Sequence, residues 1–246
     1  MPLREEFQKS GNLLFKGRSY FPLILGAIFL IALRNFRYPY HQHYLDRLWE
    51  FLCLAVSFFG LWIRAYALGY VSKGTSGRTT SQPSADSINT SGIYSIVRHP
   101  LYLGNFFIWL GITLSIHVWW FTMIAVLLFW IYYERIMFAE EEFLRGKFGD
   151  TYLKWAEKTP AFIPSLKNWQ PPSLPFSFKM VLRREYSGFF AIIVAFTVLD
   201  FIEESFVHHQ LEIDWVWLVM FLIGLTVYLT LRTLKKKTKL LNVEGR

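Results

Sequence analysis

Long blocks of apolar residues alternate with polar stretches along most of the chain. Six blocks are candidate membrane spans, at residues 20–33, 48–71, 101–114, 118–133, 188–201 and 215–231. Several are shorter than the roughly 20 residues that a helix needs to cross a bilayer core. Aromatic and basic flanking side chains can extend such blocks to the membrane surface. The pattern therefore predicts an all-α, multi-pass integral membrane protein with about six transmembrane segments.

The third and fourth blocks are joined by a very short turn. As one straight helix, residues 101–133 would measure about 50 Å at about 1.5 Å per residue. That length exceeds the roughly 30 Å of hydrocarbon core. We therefore expect the chain to fold back near residues 115–117 as a tight helical hairpin.

Composition and charge agree with this membrane architecture. Hydrophobic residues make up 53% of the 246 residues, and the net charge is +8. Of 26 Lys and Arg residues, twenty-two lie on one side of the alternating topology and three on the other. Basic residues mark the cytoplasmic side of membrane proteins, so we attribute the charge to the membrane surface rather than to nucleic acid. We expect both termini to be cytoplasmic, in a cell inner membrane or the endoplasmic reticulum.

The polar stretches divide the chain into three parts. Residues 1–71 hold the first two spans, 72–179 a central part with two polar stretches, and 180–246 two final spans and a basic tail. The Ser/Thr/Gly-rich stretch 72–89 is predicted to be a loop, and a charged helix is predicted from residue 134. The single cysteine, Cys53, lies in an apolar run and is interpreted as a packing residue. No GxGxxG, GxxxxGK[ST] or HExxH motif occurs.

The densest group of residues that could carry chemistry is the run SGIYSIVRHPLYLG at 91–104. Pro100 suits the first turn of the following helix, so Arg98 and His99 should lie at the mouth of that helix. Helix N-termini favour anions such as carboxylates. The bland alternative is an interfacial Arg-His anchor followed by ordinary transmembrane packing.

A second group consists of the three consecutive carboxylates Glu140, Glu141 and Glu142. Adjacent like charges weaken a helix unless cations lie nearby. Arg135, Arg145 and Lys147 could form solvated pairs with them. Equally, one carboxylate could bind an ammonium group, a pair of ribose hydroxyls or a sulfonium, and both alternatives remain open from the residues alone.

Taken together, these groups resemble the isoprenylcysteine carboxyl methyltransferases and the related membrane phospholipid methyltransferases. The resemblance rests on GIYSIVRHPLYLGNFFIWLG, the hairpin, and EEEFLRGKFGDTYLKWAEKTPAFIP, between about residues 88 and 164. It implies a membrane methyltransferase that uses S-adenosylmethionine and acts on a lipid or lipidated partner in the bilayer. It also assigns cofactor contacts to Ile88, Asn89, Tyr94, His99, Pro100, Leu101, Tyr102, Glu140 and Glu141.

The substrate side of the site is less well matched to that family. The family's substrate arginine aligns with Ile136, beside Arg135, and two further spans follow the motif region. Methyl transfer mainly requires positioning and exclusion of water. An anionic oxygen, as in a prenylcysteine carboxylate or a lipid phosphate such as that of lipid A, needs no base, and Arg98 or Arg135 could hold it.

Other readings of the same residues stay open. A phospholipid amine as acceptor would require a base such as His99 or a glutamate. Membrane sterol reductases resemble this family in the same region, so an NADPH-dependent reductase is an alternative. A non-catalytic membrane scaffold would give no reason for Arg98, His99 and the glutamates to occur together.

Overall fold

The computed structural model describes residues 2–17, 20–32, 43–72, 75, 85–208 and 214–243. Within these ranges the chain forms eight α-helices and two 3₁₀ turns, Ile93–Ser95 and Leu166–Asn168. The helices are α1 Leu3–Lys16, α2 Phe21–Ala32, α3 His43–Gly69, α4 Pro100–Leu114, α5 Trp119–Phe148, α6 Asp150–Lys158, α7 Phe178–His208 and α8 Trp215–Lys237. The predicted all-α class is confirmed.

Four helices are long and apolar enough to cross a membrane, namely α3, α5, α7 and α8. The shorter apolar helices α2 and α4 agree with a total of about six membrane segments. Two predicted blocks are extended by the structure: residues 119–133 form the first half of α5, and 188–201 lies within α7. The helices continue past the apolar runs because Glu, Lys and Arg are good helix formers.

The predicted hairpin is present between α4 and α5. The chain turns between Ser115 and Val118, where His117 has a positive φ of 57°. Its Nε2 atom lies 2.7 Å from a carboxylate oxygen of Asp46 at the start of α3. The hairpin is therefore fixed both by its own turn and by the contact of His117 with α3.

Close backbone contact joins α3 to α4. A Cβ atom added at Gly60 would lie 2.4 Å from the carbonyl oxygen of Gly104. One added at Gly111 would lie 2.2 Å from Oγ of Ser57. Membrane helices approach closely where small residues face each other. The motif helix α4 is thus held directly against α3.

The two C-terminal helices pack on each other and, through α7, on α3. One core cluster joins Cys53 and Leu54 of α3 to Ile192 and Phe196 of α7 and Trp217 of α8. Cys53 is buried there, as its predicted packing role requires. The final pair of helices is therefore built onto the N-terminal spans.

The amphipathic helix α1 packs along α5, where Gly11 contacts the Arg135 carbonyl and the buried Phe15 joins the core. Other parts of the sequence-based predictions lie outside the described residues. They include residue 33 of the first apolar block, positions 73–74 and 76–84 of the predicted loop, and Arg18, Arg34, Arg37 and Arg246 of the predicted topology.

Candidate functional site

The motif segment before α4 is an irregular stretch with a defined conformation. Gly92 has φ 61°, a left-handed conformation that L side chains rarely adopt, and starts the Ile93–Ser95 turn. The Ser95 hydroxyl donates to the Gly92 carbonyl at 2.7 Å and accepts from the Gln170 backbone N–H at 2.9 Å. Glycine and serine in this run therefore shape the backbone that leads into the site.

The segment after α6 holds the motif segment from the side. The backbone N–H of Arg98 donates to the Pro160 carbonyl at 2.9 Å, and that of His99 donates to Ala161 at 3.2 Å. The Trp155 indole donates to the Tyr94 carbonyl at 3.3 Å. These partners come from residues 155–161, in the later part of the motif region. That later part therefore holds the segment before α4 in place.

His99 meets the glutamates of α5 at the start of α4. Its Nε2 atom lies 2.9 Å from Oε1 of Glu141, and Nδ1 lies 3.6 Å from Oε2 of Glu140. Nε of Arg98 lies 3.0 Å from the same Glu141 oxygen. The imidazole is only 7% exposed. One buried ring and one guanidinium thus orient the Glu141 carboxylate.

Tyr102 lies one turn further along α4 and binds the neighbouring glutamate. Its hydroxyl donates to Oε1 of Glu140 at 2.6 Å, the short distance typical of a hydrogen bond to a carboxylate. Its ring stacks with that of His99 at a centroid distance of 5.7 Å. Glu140 and Glu141 are therefore each held by a different side chain from the start of α4.

Two phenols interact electrostatically with these carboxylates, the half-buried Tyr94 and the buried Tyr152. Burial, together with the charge of Glu140, raises the pKa of Tyr94 well above its usual range. Burial and the charge of Glu141 do the same for Tyr152 of α6. Both phenols stay protonated across physiological pH, so they can donate hydrogen bonds but carry no negative charge.

The remaining predicted cofactor residues lie in the first turn of α4 and just before the motif segment. Pro100 is buried in the first turn of α4, and the Leu101 carbonyl accepts from Arg64 at 3.5 Å. Ile88 and Asn89 are half-buried just before the motif segment. The Asn89 side chain accepts from the Ser91 backbone N–H at 3.4 Å.

The two predicted substrate arginines occupy different places. Arg98 donates to the Ala156 carbonyl at 2.8 Å and lies at the Glu141 carboxylate. Arg135 instead faces α1, with its guanidinium 3.3 Å from the centroid of the Phe7 ring. The structure therefore brings Arg98 to the cluster and directs Arg135 away from it.

The third glutamate also turns away, because Glu142 pairs with Arg4 of α1 at 2.5 Å. Glu141 and Glu142 both line an open cavity of about 290 Å³ between α5 and α6. Its other lining residues are Arg98, Arg145, Tyr152, Leu153, Ala156 and Glu157. Of the two sequence alternatives, solvated pairing describes Glu142, whereas Glu140 and Glu141 face the motif.

Sequence reasoning missed a polar network directly behind the cluster. Arg64 of α3 donates to both carboxylate oxygens of Glu185 on α7, at 2.9 and 2.8 Å. It also donates to the Asn105 side chain at 2.7 Å, and Asn105 donates to the Tyr133 hydroxyl at 3.2 Å. Arg64 is a charged residue inside a predicted span, and that feature of the sequence could have indicated the network. Glu185 lies 121 positions away, and no sequence pattern links the two.

Fold and site together describe a helical membrane protein with a polar, acidic cluster where α4 begins. The phospholipid methyltransferase family model matches residues 48–151, which include most of α3, the motif segment, α4 and α5. No solved structure matches this chain significantly.

Two curated proteins are similar to this chain. Protein-S-isoprenylcysteine O-methyltransferase of Schizosaccharomyces pombe is 32% identical over 154 residues, 62% of this chain and 61% of that protein. Cobalt-zinc-cadmium resistance protein CzcN of Cupriavidus metallidurans is 33% identical over 88 residues, 36% of this chain and 40% of that protein. The chain thus spans less than two thirds of the length of either relative.

These findings support the resemblance that the motifs indicate, to the isoprenylcysteine and phospholipid methyltransferases of membranes. The name of the second relative refers to metal resistance. Among the residues that the structure describes, no group of three or more His, Cys, Asp or Glu could hold a metal ion.

Proposed function

We propose that this protein transfers the methyl group of S-adenosylmethionine to an anionic oxygen of a lipid or lipidated substrate in the membrane. The observation that carries the proposal is the paired arrangement at the start of α4. Tyr102 holds Glu140 at 2.6 Å, and His99 holds Glu141 at 2.9 Å. Two fixed carboxylates beside a helix N-terminus form a site with both signs of charge within a few ångströms.

The residues present fit the cofactor by their chemistry. Carboxylates such as Glu140 and Glu141 suit an ammonium group, ribose hydroxyls or a sulfonium. The first turn of α4 suits a carboxylate because helix N-termini carry partial positive charge. The protonated Tyr94 adds a hydrogen-bond donor without adding negative charge. When bound, S-adenosylmethionine would supply an electrophilic methyl group activated by its positive sulfur.

The other residues of the site would orient the reactants and exclude water. Aromatic rings of Phe106, Phe129, Tyr133 and Phe162 pack below Tyr102 and form an apolar floor. Phe129 and Tyr133 stack at 4.1 Å, and Phe106 meets Phe162 edge-on at 5.8 Å. Such a floor would shield the reacting atoms from water on the membrane side.

An oxygen acceptor is favoured by the arginines at the site and by the relative. Arg98 and Arg145 line the cavity beside Glu141, and a guanidinium suits a carboxylate or phosphate. An acceptor that is already anionic needs no general base. The name of the Schizosaccharomyces pombe relative specifies an O-methyltransferase. We assign the acceptor contact to Arg98 rather than to Arg135, which packs on Phe7.

The acceptor can be tested with purified protein in liposomes and S-adenosylmethionine that carries tritium in its methyl group. The liposomes would contain a farnesylated cysteine, an anionic phospholipid or phosphatidylethanolamine, with Glu140→Gln as the inactive control. Mass spectrometry of the labelled product should identify a methyl ester of a carboxylate or phosphate. A methylated amine headgroup would contradict the oxygen acceptor, and no transfer to any of the three would contradict the proposed activity.

A further inference from the structure

A buried ion pair connects α7 to the motif helices. The Arg64 guanidinium binds Glu185 through Nε and Nη2, at 2.9 and 2.8 Å, in the two-bond geometry that suits these groups. The Arg64 side chain is 18% exposed and that of Glu185 only 5%. Glu185 lies outside residues 48–151, which the family model matches. A helix beyond the matched region therefore supplies a charge to the centre of the bundle.

The pair leads directly to the glutamate cluster. Arg64 also holds the Asn105 side chain at 2.7 Å, and Asn105 donates to the Tyr133 hydroxyl at 3.2 Å. The Tyr133 ring lies 5.0 Å from that of Tyr102 between centroids. Tyr102 in turn donates to Glu140 at 2.6 Å. An unbroken series of contacts thus runs from α7 through α3, α4 and α5 to the cluster.

The stem of Arg64 also sets where α4 lies. A Cβ atom at Gly104 would approach Cγ of Arg64 to 2.4 Å, so the arginine crosses α4 in direct contact with its backbone. Its Nη1 atom reaches the Leu101 carbonyl at 3.5 Å in the first turn. Unpaired charges are strongly disfavoured within a membrane bundle. Glu185 therefore supplies the negative charge that stabilises Arg64 in this position.

We propose that Glu185 is a positioning residue for the cofactor site. Through Arg64 it fixes Asn105 and Tyr133, and it thereby aligns Tyr102 with Glu140. The inference deepens the proposed function and rests on it, because the aligned groups are those assigned to S-adenosylmethionine. Helix α7 thereby completes the site in this protein, in addition to adding a membrane span.

A purely structural role for Glu185 must be separated from positioning, and the chain offers a matched control. Glu50 is a buried carboxylate on α3 that accepts from the Trp217 indole on α8 at 3.2 Å. Like Glu185, it joins α3 to the C-terminal pair. It lies fourteen positions from Arg64 on the same helix, about 21 Å away at about 1.5 Å per residue. Glu50→Gln should therefore disturb helix packing without disturbing the site.

The test is calorimetric binding of S-adenosylhomocysteine to the full-length protein in detergent, with thermal unfolding measured on the same samples. Glu185→Gln should weaken binding by about 2- to 30-fold, the range typical of residues along a coupling network. Glu50→Gln should leave the affinity within twofold of wild type. The variant Arg64→Met/Glu185→Met avoids an unpaired buried charge, yet it should also bind more weakly because Asn105 loses its partner.

Each outcome bears on a separate claim. Wild-type affinity in both Glu185→Gln and the double Met variant would overturn the positioning role while leaving the proposed function intact. Equal weakening in Glu185→Gln and Glu50→Gln would overturn it as well, because general loosening of the bundle would then explain both. A wild-type protein that binds no S-adenosylhomocysteine would overturn the proposed function, and this inference with it. If Glu185→Gln fails to fold, the double Met variant decides alone.

Discussion

His99 and Glu141 are 42 positions apart in the chain, yet Nε2 of one lies 2.9 Å from Oε1 of the other. The hairpin makes this contact possible, because it returns α5 along α4 to the level of the motif segment. His99 belongs to the irregular segment before α4, and Glu141 belongs to the charged second half of α5. The extension of α5 beyond its apolar half is therefore what completes the cluster.

This relationship gives a prediction about energetic coupling. His99→Ala and Glu141→Ala should each weaken S-adenosylhomocysteine binding, and the double variant should be little worse than the poorer single one. Residues in one hydrogen-bonded network commonly show coupling energies of about 0.5–3 kcal/mol. Calorimetry on the four proteins measures the cycle. Strictly additive losses would show that the two side chains act independently.

The two arginines predicted for the substrate should behave differently. Arg98→Ala removes the contacts to Glu141 and the Ala156 carbonyl, so methyl transfer should fall by at least about tenfold, equivalent to about 1.4 kcal/mol. Arg135→Ala removes the contact to Phe7, so it should loosen α1 and leave transfer within about twofold. Transfer assays with limited proteolysis of the N-terminal helix measure both effects. If Arg135→Ala loses methyl transfer while α1 stays protected from proteolysis, the substrate contact predicted for Arg135 would be restored.

The close contact of α3 with α4 predicts a difference between two glycines. A Cβ at Gly104 would lie 2.6 Å from the Gly60 carbonyl oxygen, whereas one at Gly146 of α5 meets nothing within 4 Å. Gly104→Ala should therefore destabilise the protein by about 1–3 kcal/mol, the usual cost of overpacking. Gly146→Ala should be neutral or stabilising by up to about 1 kcal/mol, since alanine favours a helix interior. Thermal unfolding in detergent compares the two, and equal melting temperatures would contradict the helix contact.

Much of the architecture could be predicted because its causes are local. The apolar blocks predicted the membrane helices. The hairpin was predicted because the third and fourth blocks together are too long for one crossing of the membrane. The charged helix predicted from residue 134 is present as the second half of α5, but its continuity with the preceding span was not predicted. The full length of α7 was not predicted either, because its ends lack the apolar signal that marks a span. The amphipathic α1 was also missed, since its burial depends on the distant surface of α5.

Some residues of the site could also be predicted from local sequence, whereas others depend on the packing of distant helices. The run from Tyr94 to Tyr102 and the glutamates at 140 and 141 could be selected because motif and spacing occur together in the sequence. Which face each glutamate presents could not be predicted, because it depends on how α5 packs between α1 and α4. The link between Arg64 and Glu185 was equally inaccessible. Each is a single charge in a largely apolar helix, and only the packing of α3 on α7 joins them.

The orientation in the membrane remains a prediction from the charge distribution. Cysteines at Leu166 and Trp215, both largely exposed, would be introduced singly into a Cys53→Ala background. An impermeant maleimide applied to intact cells, or to sealed vesicles of known orientation, should label position 215 only. Position 166 should react once the membrane is opened, because the basic side is expected to face the cytoplasm. Labelling of position 166 from outside would reverse the predicted topology.

The central claim is that the cluster binds S-adenosylmethionine, and titration calorimetry of the purified protein with S-adenosylhomocysteine and, separately, NADPH tests it most directly. We expect saturable binding of S-adenosylhomocysteine and none of NADPH. Tyr102→Phe should weaken that binding by about 1–3 kcal/mol, because it removes the hydrogen bond to Glu140 and keeps the ring. The control Tyr132→Phe loses a similar bond to the Leu14 carbonyl, outside the cluster, and should bind as wild type does. Binding of NADPH without S-adenosylhomocysteine, or equal affinity in wild type and Tyr102→Phe, would contradict the account.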